Sequence, residues 1–352
     1  MQPILLIQVL RAAAALAVTW HHVLNDGLGL GAAAEGAGGL SWEAGVDVFF
    51  VISGFVMVYA SEPLFGRAGA ARVFLRRRTA RIVPLYWVVT SVFLAAALLG
   101  PGVNSRPGGF AELLSSYLFV PWPRPDGLMQ PAYSPGWTLN YEVFFYLGFA
   151  LVLPLPRRRA VAALSVLLVA GVAVHAMLAS PPPQIAFWTD PIVLEFVFVF
   201  GMGIGSLRRD GAALSEGVRV LLVAAAGVLL VTFGTVWPDL TRGIRFGVPA
   251  GLLIASATLG PEPPLRGWAT AVMVRLGDAS YALYLVHPFP MRAWRLVWLR
   301  LHWTGMASFA AYATLCVASA IFAAFAVHAW FEAPMTRAAN RALAGGARRR
   351  AT

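Results

Sequence analysis

Apolar runs of about 20 residues follow one another along this chain, each long enough to cross a bilayer as a helix. They parse as ten membrane helices, at about residues 4–24, 44–61, 83–100, 137–153, 160–179, 191–207, 218–236, 243–260, 276–298 and 306–331. What is left of the 352 residues is too little for a soluble catalytic domain. With 59% apolar and 12% charged residues, the composition also excludes an ordinary water-soluble globule. The expected fold is all-α and polytopic, with residues 1–335 as one transmembrane domain and 336–352 as a basic cytoplasmic tail. Any chemistry is then intramembrane or interfacial.

All 27 basic residues are arginine and the net charge is +11, a balance that would suit nucleic acid if the arginines were grouped. They sit instead in alternate loops. Residues 61–82 hold six and residues 154–159 hold three, while Arg208, Arg209, Arg219, Arg266 and Arg275 mark two further loops. That is the positive-inside signature, which puts both termini in the cytoplasm and removes the case for a nucleic-acid partner. Arg292, Arg295 and Arg300 run against the pattern and read as site or lipid-headgroup contacts. Cys316 is the single cysteine, so neither an intramolecular disulfide nor a cysteine-based metal cluster is open to the chain, and no metal is expected. The N-terminus has no basic leader and Arg11 interrupts its apolar run, so it reads as the first helix and not as a signal peptide.

Arg11 and His22 lie eleven residues apart in that first run. On a helix they share one face, offset by roughly 20° and separated by roughly 16 Å along the axis. An arginine facing mid-bilayer lipid costs about 2.5–3.5 kcal/mol even on the mildest scale, so this face should line a protein-enclosed, partly wet cavity. His22 suits a general base, because an imidazole titrates near neutral pH; the alternative is a structural, hydrogen-bonded histidine. His21 points about 100° away and reads as outer-interface packing. Asp47, Glu142 and Glu195 map with His22 to the outer half and would share one pocket. Asp47 opens the run Gly45–Phe55, where helix capping is an equal explanation. Glu142 lies deeper within Trp137–Tyr146, where Trp137 and Asn140, with Glu195, are candidates for the acceptor side. Arg78 and Arg81, three apart on the inner side, can aim two guanidiniums at one phosphate, although lipid phosphate would use them equally. Tyr281, Tyr284 and His287 form a stripe spaced by three that either pairs with Arg11, meets a ligand or is a structural ladder. Glu332 reads as structural. Residues 101–136, with Tyr117, Trp122 and Tyr133, fit a partly re-entrant lid.

In this order the motifs resemble the membrane-bound acyltransferase-3 family, whose members O-acylate exopolysaccharides, O-antigens and macrolides. Arg11 and His22 match its first-helix arginine and histidine, and Arg78-Thr79-Ala80-Arg81 its inner Arg-x-x-Arg. Gly45–Phe55 and Leu276–His287 also resemble family signatures. Pro135–Glu142 is similar to the exopolysaccharide O-acetyltransferase branch. The resemblance implies a bacterial inner-membrane O-acyltransferase that takes acetyl-coenzyme A, or another acyl-coenzyme A, from the cytoplasm. It implies a polysaccharide or lipid-linked glycan as acceptor, with membrane lipids and other polysaccharide-biosynthesis proteins as partners. Arg11, Arg78, Arg81, Tyr281, Tyr284 and His287 would then bind the donor, and His22 would deprotonate the acceptor hydroxyl, with Asp47 or Glu142 orienting it. Ser53 is an alternative acyl carrier. Transfer to a small lipophilic acceptor such as a macrolide is the rival reaction. A transporter or flippase is the rival class, against which stands the lack of paired inverted halves with matching broken helices.

Overall fold

The computed structural model describes residues 4–30, 41–99, 109–178, 182–189, 197–237, 239–262 and 266–348. Glu195 lies outside them. Among the described residues there is no strand, and an isolated bridge between Pro123 and Met129 is the one β-type pairing. In chain order the first helices are α1 Leu5–Gly29, α2 Gly45–Ala60, α3 Ala70–Leu99, α4 Phe110–Tyr117, α5 Trp137–Val152, α6 Arg157–Met177 and α7 Pro183–Thr189. They are followed by α8 Val197–Arg209, α9 Glu216–Thr235, α10 Val248–Thr258, α11 Trp268–Asp278, α12 Ser280–Val286, α13 Pro288–Leu301, α14 Met306–Val327 and α15 Ala333–Arg348.

Five stretches among the described residues are long and apolar enough to cross a membrane: Trp42–Ala60, Ala70–Leu98, Arg157–His175, Glu216–Phe233 and Met306–Ala339. Their outward faces suit lipid and not water. On α9, Val220, Leu221 and Val228 are each more than 60% exposed, which a soluble helix would not tolerate as a continuous face. α1 has the length, at 25 residues, but Gln8, Arg11, His21 and His22 interrupt its apolar run.

Three boundaries differ from the sequence expectation, each for a backbone reason. α3 starts at Ala70 and carries Pro84 inside it, so the arginines at 76–81 belong to the helix and not to a loop before it. Arginine is a good helix former, and basic residues at a membrane edge lower hydropathy without ending the helix. The run 276–298 is not one helix but α11 through α13, with breaks at Ala279 and His287. Pro288 and Pro290 lack the N–H groups that would meet the carbonyls of Tyr284 and Val286. At the other end, the apolar run from Met306 does not stop near 331. It passes through a π-helical turn, His328–Glu332, directly into α15, so the expected tail from 336 is helical as far as Arg348.

Contacts divide the chain into two compact units, residues 1–60 with 191–325, and residues 61–190 with 326–352. In the first unit, small residues let backbones meet. Gly54 of α2 and Gly201 of α8 face one another, and a Cβ on Gly201 would strike Val51 O and the Phe55 amide. Gly277 of α11 lies equally close to Gln8 O of α1, and Gly45 to Ala14 O. Without a hydrophobic drive between helices in lipid, such close approach supplies the packing contacts. Near the end of α1, Val23 and Leu24 pack with Met291, Trp298, Phe309 and Tyr312, and the Asp26 carboxylate accepts hydrogen bonds from Arg295 and Tyr312. Arg295, which ran against the charge pattern, therefore has an internal partner.

The second unit packs α3 on α5 through Phe74 against Tyr146 and Phe149. Tyr86, fully buried, donates to Ser116 O of α4 at 3.0 Å, and Gly136 has room only for a hydrogen beside its ring. Glu332 pairs with His328 at 2.9 Å within the π turn.

Gly201→Val should separate α2 from α8 and cost about 1–3 kcal/mol, as forced overpacking does. Thermal unfolding in detergent would register the loss, with Gly203→Val, where an added Cβ meets nothing within 4 Å, as the unaffected control.

Candidate functional site

In the first unit the site begins on α1. The helix runs unbroken from Leu5 to Gly29, so Arg11 and His22 do share a face. Arg11 donates to Gln8 Oε1 at 3.2 Å, a neighbour one turn back. His22 is exposed, yet its ring stacks on His287 with centroids 5.2 Å apart and planes 26° from parallel. His287 itself is 1% exposed. It sits at the break between α12 and α13, where its Nδ1 lies 3.2 Å from Leu283 O, one turn back; its Nε2 has no partner among the described residues. The ring of Tyr284 lies 6.3 Å from that of His287 and 6.2 Å from that of Phe49. Tyr281 is half-buried on the same short helix. The broken segment thus brings His287 and Tyr284 to the base candidate, a grouping that the 276–298 pattern suggested only as a stripe.

Asp47 is 1% exposed in the first turn of α2. Its Oδ2 accepts from Arg242 Nη2 at 2.8 Å, and Arg242 also donates to Glu43 O at 3.2 Å and lies 3.6 Å from the Glu43 carboxylate. Arg242 is held over the ring of Phe246, which Arg245 covers as well. The Asp47 carboxylate therefore has an arginine partner that sequence reasoning did not identify. His21 adjoins this group: its ring is 5.4 Å from that of His22, its Nε2 accepts from the Asn25 amide at 3.0 Å, and the charges of Glu43 and Arg242 act on it.

In the second unit α5 divides its residues between two faces. Glu142, Tyr146 and Phe149 turn towards α3: Tyr146 donates to Glu142 Oε1 at 2.5 Å, and the Arg78 guanidinium lies 5.8 Å from the Tyr146 ring centre and 5.6 Å from that of Phe74. Arg81 is half-buried one turn further along α3, while Arg76 and Arg77 are exposed. Trp137, Tyr141 and Phe144 turn towards α7, where Tyr141 stacks on Phe187 at 4.3 Å and Phe144 on Trp188 at 4.8 Å. Asn140 borders this second face by helical angle, is fully buried, and has no partner for either amide atom among the described residues.

Sequence reasoning missed Tyr146 and Arg242. Tyr146 had a local signal, since it stands four residues after Glu142 on one helix face. Arg242 had none, being 195 residues from Asp47. Among the described residues no group of three or more His, Cys, Asp or Glu side chains is placed to hold a metal ion.

Five helical stretches long and apolar enough to cross a bilayer mark a membrane protein. Residues 4–328 match the family described as an acyltransferase domain, and the chain belongs to that family, acyltransferase-3. It is 36% identical to the exopolysaccharide production protein ExoZ of Rhizobium meliloti (strain 1021) over 250 residues, which cover 70% of this chain and 75% of that protein. It is 31% identical to the acyltransferase MdmB of Streptomyces mycarofaciens over 325 residues, 84% of this chain and 81% of that one. No solved structure matches the chain.

Tyr146→Phe removes the hydrogen bond that Tyr146 donates to the Glu142 carboxylate and should lower stability by about 1.5–3 kcal/mol, the range for hydrogen bonds to charged groups. Thermal unfolding of the detergent-solubilised variant measures this, and Tyr146→Phe combined with Glu142→Gln should recover part of the loss.

Proposed function

We propose that the protein transfers an acyl group, acetyl in the first instance, from cytoplasmic acyl-coenzyme A to a hydroxyl of an exported or cell-surface polysaccharide, with His22 as the general base. The observation that carries this reading is an accessible imidazole backed by a buried one, His22 of α1 stacked on His287 at the break between α12 and α13. Stacking restrains the ring, and restrained geometry is what a base needs within hydrogen-bond reach of its proton. The step balances without a further reactant. His22 takes the proton of the acceptor hydroxyl, the oxygen attacks the thioester carbonyl and the C–S bond breaks. The departing thiolate then takes the proton from the imidazolium, leaving an ester and free coenzyme A.

Arg78 and Arg81, on one face of α3, hold donor phosphates in this reading, and Arg11, Tyr281, Tyr284 and His287 are proposed as further donor contacts. Trp137, Asn140 and Glu195 serve the acceptor side. The carboxylates of Asp47 and Glu142 remain the candidates for acidic groups of the site, each with the neighbour described above, Arg242 or Tyr146. The relative from Rhizobium meliloti is named for exopolysaccharide production, which favours a polysaccharide or lipid-linked glycan over a small lipophilic acceptor. In this reading the protein is a multi-pass component of the bacterial inner membrane with both termini cytoplasmic, in contact with lipids and with other proteins of polysaccharide synthesis.

Purified protein in detergent, given acetyl-coenzyme A and candidate glycans, should release free thiol, followed by absorbance. His22→Ala should cut that rate by about 10²–10⁴, the span of general-base contributions, with the donor KM little changed. Arg78→Ala with Arg81→Ala should instead raise the donor KM. Full turnover by the His22 variant would remove the assigned base. Thiol release with a macrolide and with no glycan would point to the small-acceptor reaction, and none with any acceptor to transport without chemistry. Topology has its own check: a cysteine at Arg159, in a Cys316→Ser background, should react with a membrane-impermeant label only from the cytoplasmic face.

A further inference from the structure

The ion pair between Asp47 and Arg242 is incomplete in a specific way. A buried pair is stable when its remaining lone pairs and N–H groups also find partners. Here Asp47 Oδ1 and Arg242 Nε are both buried without a hydrogen-bond partner among the described residues. One is an acceptor and the other a donor. Leaving either empty costs free energy, so the arrangement is suited to a group that supplies both.

Charge narrows the choice. Asp47 and Glu43 are matched by Arg242 and by Arg245 on the same phenyl ring, so the cluster is close to neutral and draws in no anion by net charge. A cation would be repelled in turn by the unpaired N–H of Arg242. What satisfies both atoms is a neutral hydroxyl, which donates to Oδ1 and accepts from Nε. Arg242 and Glu43 retain 19% and 36% side-chain exposure while Asp47 lies beneath at 1%, so a hydroxyl reaches Asp47 Oδ1 once those two partly exposed side chains move aside. The group is also tied to the base, since His21 feels the charges of Glu43 and Arg242 on one side and meets the ring of His22 on the other. Phe246, flanked by Arg242 and Arg245, holds the guanidinium in place.

We propose that Asp47 and Arg242 form the subsite that recognises the acceptor sugar, holding a hydroxyl other than the one that reacts. Asp47 Oδ1 accepts from that hydroxyl, and Arg242 Nε donates to the same or the neighbouring ring oxygen. This rests on the reading of His22 as the base for a hydroxyl acceptor, and it makes Asp47 a specificity residue and not the orienter of His22. Water offers the same hydroxyl chemistry, and the experiment must separate the two occupants.

The test uses full-length protein in detergent, acetyl-coenzyme A, and a panel of neutral glucose- and galactose-containing oligosaccharides with their mono-deoxy analogues. Asp47→Asn and Arg242→Lys should each raise the acceptor KM about tenfold, a normal penalty for an unpaired polar contact, and shift kcat and the donor KM far less. One mono-deoxy sugar should be a poor acceptor for the wild type, and on that sugar the penalty of either variant should disappear. A merely structural pair would not give that cancellation. If both variants lower the melting temperature but leave acceptor KM unchanged, or if the penalty is equal on every deoxy sugar, the pair holds water and the subsite is overturned. Arg242→Lys keeps the charge, so it supplies the measurement should Asp47→Asn fail to fold. Wild-type protein that releases no thiol with any oligosaccharide overturns the reading of His22 and the subsite with it, an outcome distinct from active protein with indifferent variants.

Discussion

Charge in a hydrocarbon environment must be neutralised inside the protein, and the rest of this structure is arranged around that requirement. Asp26 is met by Arg295 and Tyr312, Asp47 by Arg242, Glu142 by Tyr146, and Glu332 by His328. Each pairing lies within one of the two compact units. Together they let apolar helices carry acids and bases without exposing them to lipid tails. The same requirement makes the exceptions informative. Among the buried side-chain atoms that meet no partner within the described residues are Asp47 Oδ1, His287 Nε2 and the amide of Asn140, which belong to side chains singled out on chemical grounds.

Close backbone approach is the second constraint, and it positions the groups that charge pairing alone would leave loose. Gly277 lets α11 press against Gln8 on α1, and the chain then leads through α12 to His287, which meets His22 on that same helix. Pro288 frees the Tyr284 carbonyl there, while the Leu283 carbonyl, which accepts the His287 backbone N–H at 3.1 Å, also lies 3.2 Å from the imidazole Nδ1. On α2, Gly45 and Gly54 bring both α1 and α8 to backbone distance, and this packing buries Asp47 near the end of the helix.

The legible part of the site was local. Arg11 and His22 share a face because helical periodicity says so, and the structure keeps that helix whole. Tyr146 was as readable as these, four residues after Glu142, but an aromatic residue in an apolar helix resembles ordinary packing until its hydroxyl is seen to have a partner. Helix ends were less legible where hydropathy and helix propensity disagree. The arginines of 76–81 read as loop by charge and fold as helix by propensity, and the apolar run from Met306 continues through a π turn that no pattern of residues announced.

By itself, the sequence determined the lipid environment, the all-helical architecture and the alignment of arginine and histidine on the first helix. These depend on composition and on the fixed rise and turn of a helix, which any stretch of chain carries with it. Tertiary structure alone decided which charge answers which. Arg242 is 195 residues from Asp47, Arg295 is 269 from Asp26, and His287 joins His22 from another helix. Such pairings follow from how helices pack, and a linear pattern holds no record of packing between segments so far apart.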